Sequence, residues 1–423
     1  MADLSCTIAG VSSPNPFWLA SAPPTDKRYN VERAFEAGWG GVVWKTLGED
    51  GPPVVNVSSR YGSVDFAGQR MMGFNNIELI TDRPLQINLD EITAVKRDWP
   101  DRALVVSLMV PCTEQAWKDI LNKVEQTGCD GVELNFGCPH GMSERGMGAA
   151  VGQVPEYIQE VTEWCKTHTD LPVFVKLTPN ISDIRRPARA AFDGGADAVS
   201  LINTINSIVS IDLDIMAPTP TVAGKGVHGG YCGPAVKPIA LSMVSEIARD
   251  PHTRNLPISG IGGINDWRDA AEYISLGCGS VQVCTAAMRY GFRIIDDLVD
   301  GLSNWMDEKG YASLEDFRGA AIPNVTDWQY LDLNYKTIAA IDQDKCIECG
   351  LCHITCEDTS HQAISATKDE NGKRTYTVID EECVGCNLCY LVCPVPKCIT
   401  MEEVDNGLPY LNWTKHPNNP MKG

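Results

Sequence analysis

Between residues 16 and 285, short apolar runs alternate eight times with longer amphipathic stretches, and no other feature of the chain narrows its fold as far. The runs are PFWLAS (16–21), GGVVWKT (40–46), RALVVSLM (102–109), GVELNF (131–136), PVFVKLT (172–178), DAVSLIN (197–203), PISGI (257–261) and SVQVCT (280–285). Nearly continuous apolar runs are what strands covered on both faces require. The stretches 31–39, 113–128, 155–168, 183–195, 235–250 and 266–277 carry helical periodicity, and several close on glycine, as helix C-termini often do. Strand–helix units in series predict a parallel sheet, and eight of them predict a closed (β/α)8 barrel. A doubly wound open sheet is the rival arrangement. The alternation stops near 321–336, so the expected division is an α/β TIM barrel over 1–322, a linker over 323–336 and a separate small unit over 337–423.

That last segment is dominated by cysteine. Of 17 cysteines in 423 residues, nine fall between 346 and 398. The N-terminal MADLSCTIAG has no basic-then-apolar leader, and no apolar run approaches the ~18 residues of a membrane span. The expected compartment is the cytoplasm, where thiols stay reduced; dense cysteines there point to metal rather than disulfides. Two blocks align at an offset of 37, each with the spacing C-x2-C-x2-C-x3-C: Cys346, Cys349, Cys352, Cys356, then Cys383, Cys386, Cys389, Cys393. This is the run of a bacterial two-cluster ferredoxin, a small α+β fold in which three close thiolates hold one [4Fe–4S] cluster and the fourth serves the other. Cys346, Cys349, Cys352 and Cys393 are therefore expected on one cluster, and Cys383, Cys386, Cys389 and Cys356 on its partner. Structural zinc uses one or two C-x2-C pairs, not interlocked triples. Glu357 replaces the proline usual after the first run, and Cys398 is read as a bystander.

In a (β/α)8 barrel, chemistry gathers at the C-terminal strand ends. Here those ends carry Ser21, Lys45, Thr46, Ser107, Asn135, Lys176, Asn203, Thr204, Gly262, Gly263, Cys284 and Thr285. Lysine is seldom buried without a partner, so Lys45 and Lys176 ask for an anion. Gly262-Gly263, followed by Cys284-Thr285 on the next unit, fits a phosphate cradle, because backbone amides reach phosphate closely only where side chains are absent. A literal G-x-G-x-x-G at Gly224, Gly226 and Gly229 follows a Pro-rich loop instead of a strand and lacks the dinucleotide context. After the fourth run comes the glycine-rich loop 135–148, NFGCPHGMSERGMG, which presents Cys138. A thiol there can serve as general acid toward a developing carbanion, with His140 as a possible proton relay. The balance of 35 basic against 55 acidic side chains, net −20, opposes binding to nucleic acid.

The segments N-x-x-CPHG-M-x-ERGMG, VWKT, KLTPN, INT, GFNNIEL and GIGG together resemble the dihydroorotate dehydrogenase-like flavoproteins. With the tandem ferredoxin tail, the chain resembles more closely still the FMN/iron–sulfur subunits of bacterial NAD-dependent dihydropyrimidine dehydrogenases. The resemblance implies FMN at the barrel mouth, hydride exchange with pyrimidine C6, and protonation at C5 by Cys138. It implies a pyrimidine held by Asn76, Asn135, Asn203 and Thr204, next to Phe136 and Gly137. FMN would touch Ser21, Lys45, Thr46, Lys176, Gly229, Gly262, Gly263, Cys284 and Thr285; Ile261 stands where related enzymes carry a polar residue. No FAD or nicotinamide fingerprint is present in the chain, which leaves NAD(H) and FAD to a reductase subunit of the PreT type in a hetero-oligomer built on a dimer. Three other readings remain at this point: dihydroorotate oxidation, reduction of a related cyclic amide or enone, and a pure electron-transfer protein with a degenerate barrel.

Overall fold

The structure, a computed structural model, describes residues 2–51, 53–66, 69–138 and 146–421. The chain divides into two compact units, 1–324 and 325–423.

The first unit is a closed parallel barrel of Phe17–Leu19 (β1), Gly41–Leu47 (β2), Ala103–Leu108 (β3), Gly131–Asn135 (β4), Val173–Lys176 (β5), Ala198–Leu201 (β6), Ile258–Ile261 (β7) and Cys278–Val283 (β8). All eight expected runs form these strands, and the open-sheet alternative falls away. Every strand residue is buried, which is why the runs carry no polar alternation along their length. Helices follow each strand. The one after β2, Leu85–Asp98, was not apparent in the periodicity, because a polar residue, Asn88, occupies its buried face and accepts from Trp44 Nε1.

Inside the barrel, chemistry changes with height. At the N-terminal end Trp18, Val43, Val105, Phe174 and Ala198 form an apolar plug, closed from below by Ile8 and Val11 of a short hairpin. Two residues further along the same strands, the inward positions turn polar: Lys45, Ser107, Lys176 and Ser200. Two long insertions, after β2 and after β6, then meet over the mouth. They build a four-stranded antiparallel sheet in the order 205–207, 229–232, 69–76, 61–66. Gly73 permits this pairing, since a Cβ there would lie 1.8 Å from the Tyr231 hydroxyl.

The second unit holds two antiparallel pairs, Thr337–Ile341 with Ile399–Glu403 and Ile364–Lys368 with Arg374–Val378, and helices Leu351–Thr359 and Leu388–Val392. The 37-residue repeat is visible in the backbone. Glu348 and Gly385 are both left-handed, as are Gly350 and Asn387, so each cysteine loop makes the same turn into its helix. Residues 325–336, expected as linker, belong to this unit: Leu333 N donates to Leu411 O, and Trp328 packs on Trp413.

Candidate active site

A cavity opens at the C-terminal end of the barrel, beneath the four-stranded sheet. Its wall brings together Ser21, Lys45, Thr46, Asn76, Asn135, Cys138, Lys176, Asn203, Thr204, Gly262, Gly263, Cys284 and Thr285. Adjacent residues Lys45 and Thr46 both reach it because the β2–β3 register shifts between Trp44 and Leu47, and such irregularities re-aim side chains.

One side of the wall is a hydrogen-bonded amide and hydroxyl chain. Asn203 Nδ2 donates to Asn135 Oδ1 at 3.0 Å, and Asn135 Nδ2 donates to Thr46 Oγ1 at 3.1 Å. Thr46 Oγ1 also pairs with Ser21 Oγ (3.1 Å) and Ser107 Oγ (2.9 Å), and Asn203 Oδ1 accepts from Thr204 N at 2.8 Å. Asn76 Nδ2 is tied to Gly230 O at 3.2 Å. Fixed amides of this kind match the alternating donors and acceptors of a cyclic imide edge. Cys138 follows the chain directly and packs on the small cluster of Ile80, Met109 and Met147. His140 lies outside the described residues.

Beside Asn203, at the exit of the neighbouring strand β7, the wall is made of glycine. Gly262 and Gly263 have φ of +129° and +73°, and a Cβ on Gly263 would lie 2.8 Å from both Lys237 N and Cβ. Only glycine fits there, leaving backbone amides bare at the β7 exit. Nearby, burial pushes the Cys284 thiol up to about 12 and the Cys232 thiol up to about 11; Thr285 Oγ1 donates to Cys232 Sγ. Both remain neutral at physiological pH.

The two lysines are not bare. Lys45 Nζ sits 2.7 Å from Glu78 Oε1 and 3.6 Å from Asp26 Oδ2, and Glu78 also accepts from Tyr61 OH. Burial and the Glu78 carboxylate raise the Tyr61 hydroxyl above its ordinary range. Lys176 Nζ lies 3.4 Å from Glu133 Oε1. Internal carboxylates thus answer the demand for an anion that the sequence placed on a ligand. Glu78 and Glu133 were both missed; the available signal for Glu133 was a charge amid the apolar run GVELNF, in step with Asn135.

Three expected contacts are not on the wall. Phe136 points outward and meets Trp117 edge-on, ring centroids 6.0 Å apart. Gly137 serves closeness instead of contact, since a Cβ there would lie 2.4 Å from Asn203 Cβ. Gly229 is paired in the roof sheet, its open side filled by Asn75 Oδ1; Gly233, four residues on, lines the cavity.

In the second unit the eight cysteines sort into two cavities. Cys346, Cys349, Cys352 and Cys393 line one; Cys356, Cys383, Cys386 and Cys389 line the other. The fourth cysteine of each run, Cys356 within its helix and Cys393 just after its own, therefore lines the other run's cavity, and four motif cysteines line each, the donor set of a [4Fe–4S] cluster. Cys398, read from the sequence as a bystander, is buried and also lines the first cavity.

The profile of the family described as dihydroorotate dehydrogenase matches residues 3–306. The chain belongs to the dihydroorotate dehydrogenase family. A second profile, described as a 4Fe-4S dicluster domain, matches residues 339–401, within the second unit. The NAD-dependent dihydropyrimidine dehydrogenase subunit PreA of Escherichia coli K12 is 42% identical over 363 residues, 86% of this chain and 87% of the relative. The chloroplastic dihydropyrimidine dehydrogenase (NADP(+)) of Arabidopsis thaliana is 41% identical, covering 82% and 83%. The catalytic subunit of dihydroorotate dehydrogenase B (NAD(+)) from Thermococcus kodakarensis is 35% identical, covering 76% and 99%. The family's barrel match ends before the cysteine cavities begin, so mouth and cluster sites sit on separately matched segments. Among the described residues no helix is long and apolar enough to cross a membrane.

Proposed function

We propose that this protein interconverts uracil or thymine with the 5,6-dihydropyrimidine, using FMN at the barrel mouth and two [4Fe–4S] clusters in the second unit. One observation carries the reading: a single cavity is lined both by the Asn203–Asn135–Thr46 amide chain with Cys138 and by the glycine cradle. The cradle, with Cys284-Thr285 beside it, suits the FMN phosphate, and Lys45, Thr46, Ser21 and Lys176 suit the ring. FMN bound there supplies hydride exchange with pyrimidine C6.

The chain's own residues do the rest. Asn76, Asn135, Asn203 and Thr204 orient the pyrimidine by its amide edges, a ring too polar to be held by apolar contact alone. Cys138 keeps a proton for C5 on its thiol and recovers it from solvent after transfer. The cysteine cavities hold the clusters that bring electrons from NAD(H), taken up by an FAD-containing reductase subunit of the PreT type, in a cytoplasmic hetero-oligomer built on a dimer. The acidic second unit, 13 Asp and Glu against 7 Lys and Arg over 341–423, offers that partner a charged face.

The test is anaerobic co-purification with the candidate reductase, flavin and iron analysis, and an NADH-linked assay with uracil, thymine and orotate. FMN, eight irons and uracil or thymine turnover are expected, by two [4Fe–4S] clusters per chain. Turnover of dihydroorotate and orotate alone, or protein without flavin, overturns the proposal.

A further inference from the structure

Glu133 stands under the mouth with no role in what precedes. It is wholly buried, lies on β4 two residues before Asn135, and does not itself line the cavity. Its Oε2 accepts from Ser200 Oγ at 2.7 Å and from Gln282 Nε2 at 3.2 Å. The same Gln282 nitrogen reaches Ser259 Oγ at 3.2 Å, and Ser259 pairs with Ser280 at 2.8 Å. Five strands thus contribute to one polar layer, counting Lys176 on β5. Among the described residues, Glu133 Oε1 makes no hydrogen bond and faces the Lys176 ammonium, 3.4 Å away. Gln282 Oε1 is likewise buried and without a hydrogen-bond partner among the described residues, while Gln282 and Lys176 both line the cavity.

A fully buried carboxylate is retained only when something offsets its desolvation. Here two neutral donors and one cation do so, and the cation is the residue facing the bound ring. We propose that Glu133 is a positioning residue that holds Lys176 in place and tempers its charge, so that FMN meets a paired ammonium instead of a bare one. The consequence is electrostatic. Reduction adds negative charge to the flavin, and a bare lysine would favour that state more strongly than a paired one. Glu133 therefore keeps the flavin potential low enough for electrons to leave it as well as enter. This inference rests on the flavin reading of the mouth.

The test is Glu133→Gln in the full-length, cluster-loaded protein, an isosteric change that removes charge but keeps an acceptor toward Lys176. The flavin midpoint potential is read by equilibration with a reference dye, after subtracting the spectrum of FMN-stripped protein. The variant should favour reduced over oxidised FMN at least tenfold more than the native chain, a rise of about 30 mV for a two-electron couple. Lys176→Met should lower the potential. Adding Glu133→Gln to Lys176→Met should then change nothing, because no ammonium is left for the carboxylate to pair. Should Glu133→Gln fail to fold, Glu133→Asp, which draws the carboxylate back from Lys176, should give a smaller rise. FMN bound at an unchanged potential in these variants, or an equal rise with Lys176 absent, overturns the inference alone. A native chain that binds no FMN overturns the flavin reading and this inference with it.

Discussion

Asn135→Ala strikes the joint between the barrel and its cavity. Asn135 is 9% exposed and makes three hydrogen bonds: it donates to Thr46 Oγ1, and its Oδ1 accepts from Asn203 Nδ2 and Gly137 N. The losses are unequal. Thr46 keeps Ser21 and Ser107, so the missing donor costs about 0.5–1.5 kcal/mol, the net worth of an ordinary bond. Asn203 Nδ2 turns into the cavity, where water can reach it, for a similar cost. Gly137 N is buried and left without an acceptor, which costs about 1–3 kcal/mol. Together the barrel should lose roughly 2–4 kcal/mol after partial relaxation. Urea unfolding followed by the fluorescence of the buried barrel tryptophans measures this, while cluster absorbance reports the second unit separately. KM for uracil should rise together with the stability loss. A cost below about 1 kcal/mol with unchanged KM would show that the amide chain neither braces the mouth nor orients the substrate.

Other expectations follow from separate parts of the molecule. Cys138→Ala should leave stability and iron content intact yet slow pyrimidine reduction by about 10²–10⁴, the usual worth of a general acid; a normal rate removes the thiol from the chemistry. Cys393→Ser should cost about half of the iron and spare the cluster of Cys383, Cys386 and Cys389, by iron count and paramagnetic resonance of the reduced protein; loss from that other cluster would refute the crossed assignment. Alkaline pH should destabilise the barrel. Burial raises the thiols of Cys129 (to about 11), Cys165 and Cys278. The folded state keeps protons that the unfolded state releases above its ordinary pKa of about 8.5, so stability falls from there upward, by about 2 kcal/mol per thiol at pH 10. Urea midpoints at pH 8 and pH 10 measure it, and a flat profile contradicts the burial argument.

What could be seen in the sequence followed from periodicity and spacing. The strands were legible because each is buried on both faces, and the clusters because iron demands thiols at fixed intervals. The roof sheet was not, since QRMMGFNN, INS and GGYC contain no apolar run; their pairing depends on close backbone approach at Gly73, Gly229 and Gly230. The same blindness applies to Gly229, which the sequence suggested for the FMN side and which the structure packs against Asn75 Oδ1 in the roof sheet. Lys45 and Lys176 show the reverse case. Their strand-end positions were readable, but their partners Glu78 and Glu133 come from an insertion and from another strand, and no local pattern links them.

Those pairings alter what a cationic mouth means. A ring of lysines around an anionic cofactor would bind it tightly in its reduced state, which suits an enzyme that only accepts electrons from substrate. Here Glu78, Asp26 and Glu133 meet Lys45, Lys176 and Arg60 from within the fold, so the charges at the mouth are near balance before any ligand enters. On the proposed reading, specific grip is then left to groups without net charge: the amides at Gly262 and Gly263 for the anionic end, and the Asn135 chain for the ring edge. A site of that kind discriminates by geometry more than by charge, because an amide pair left unmatched in a closed cavity costs more than a screened ion pair returns. A pyrimidine bearing an added carboxylate would find no unpaired cation among the described wall residues named here, whereas a neutral one finds donors and acceptors already aligned.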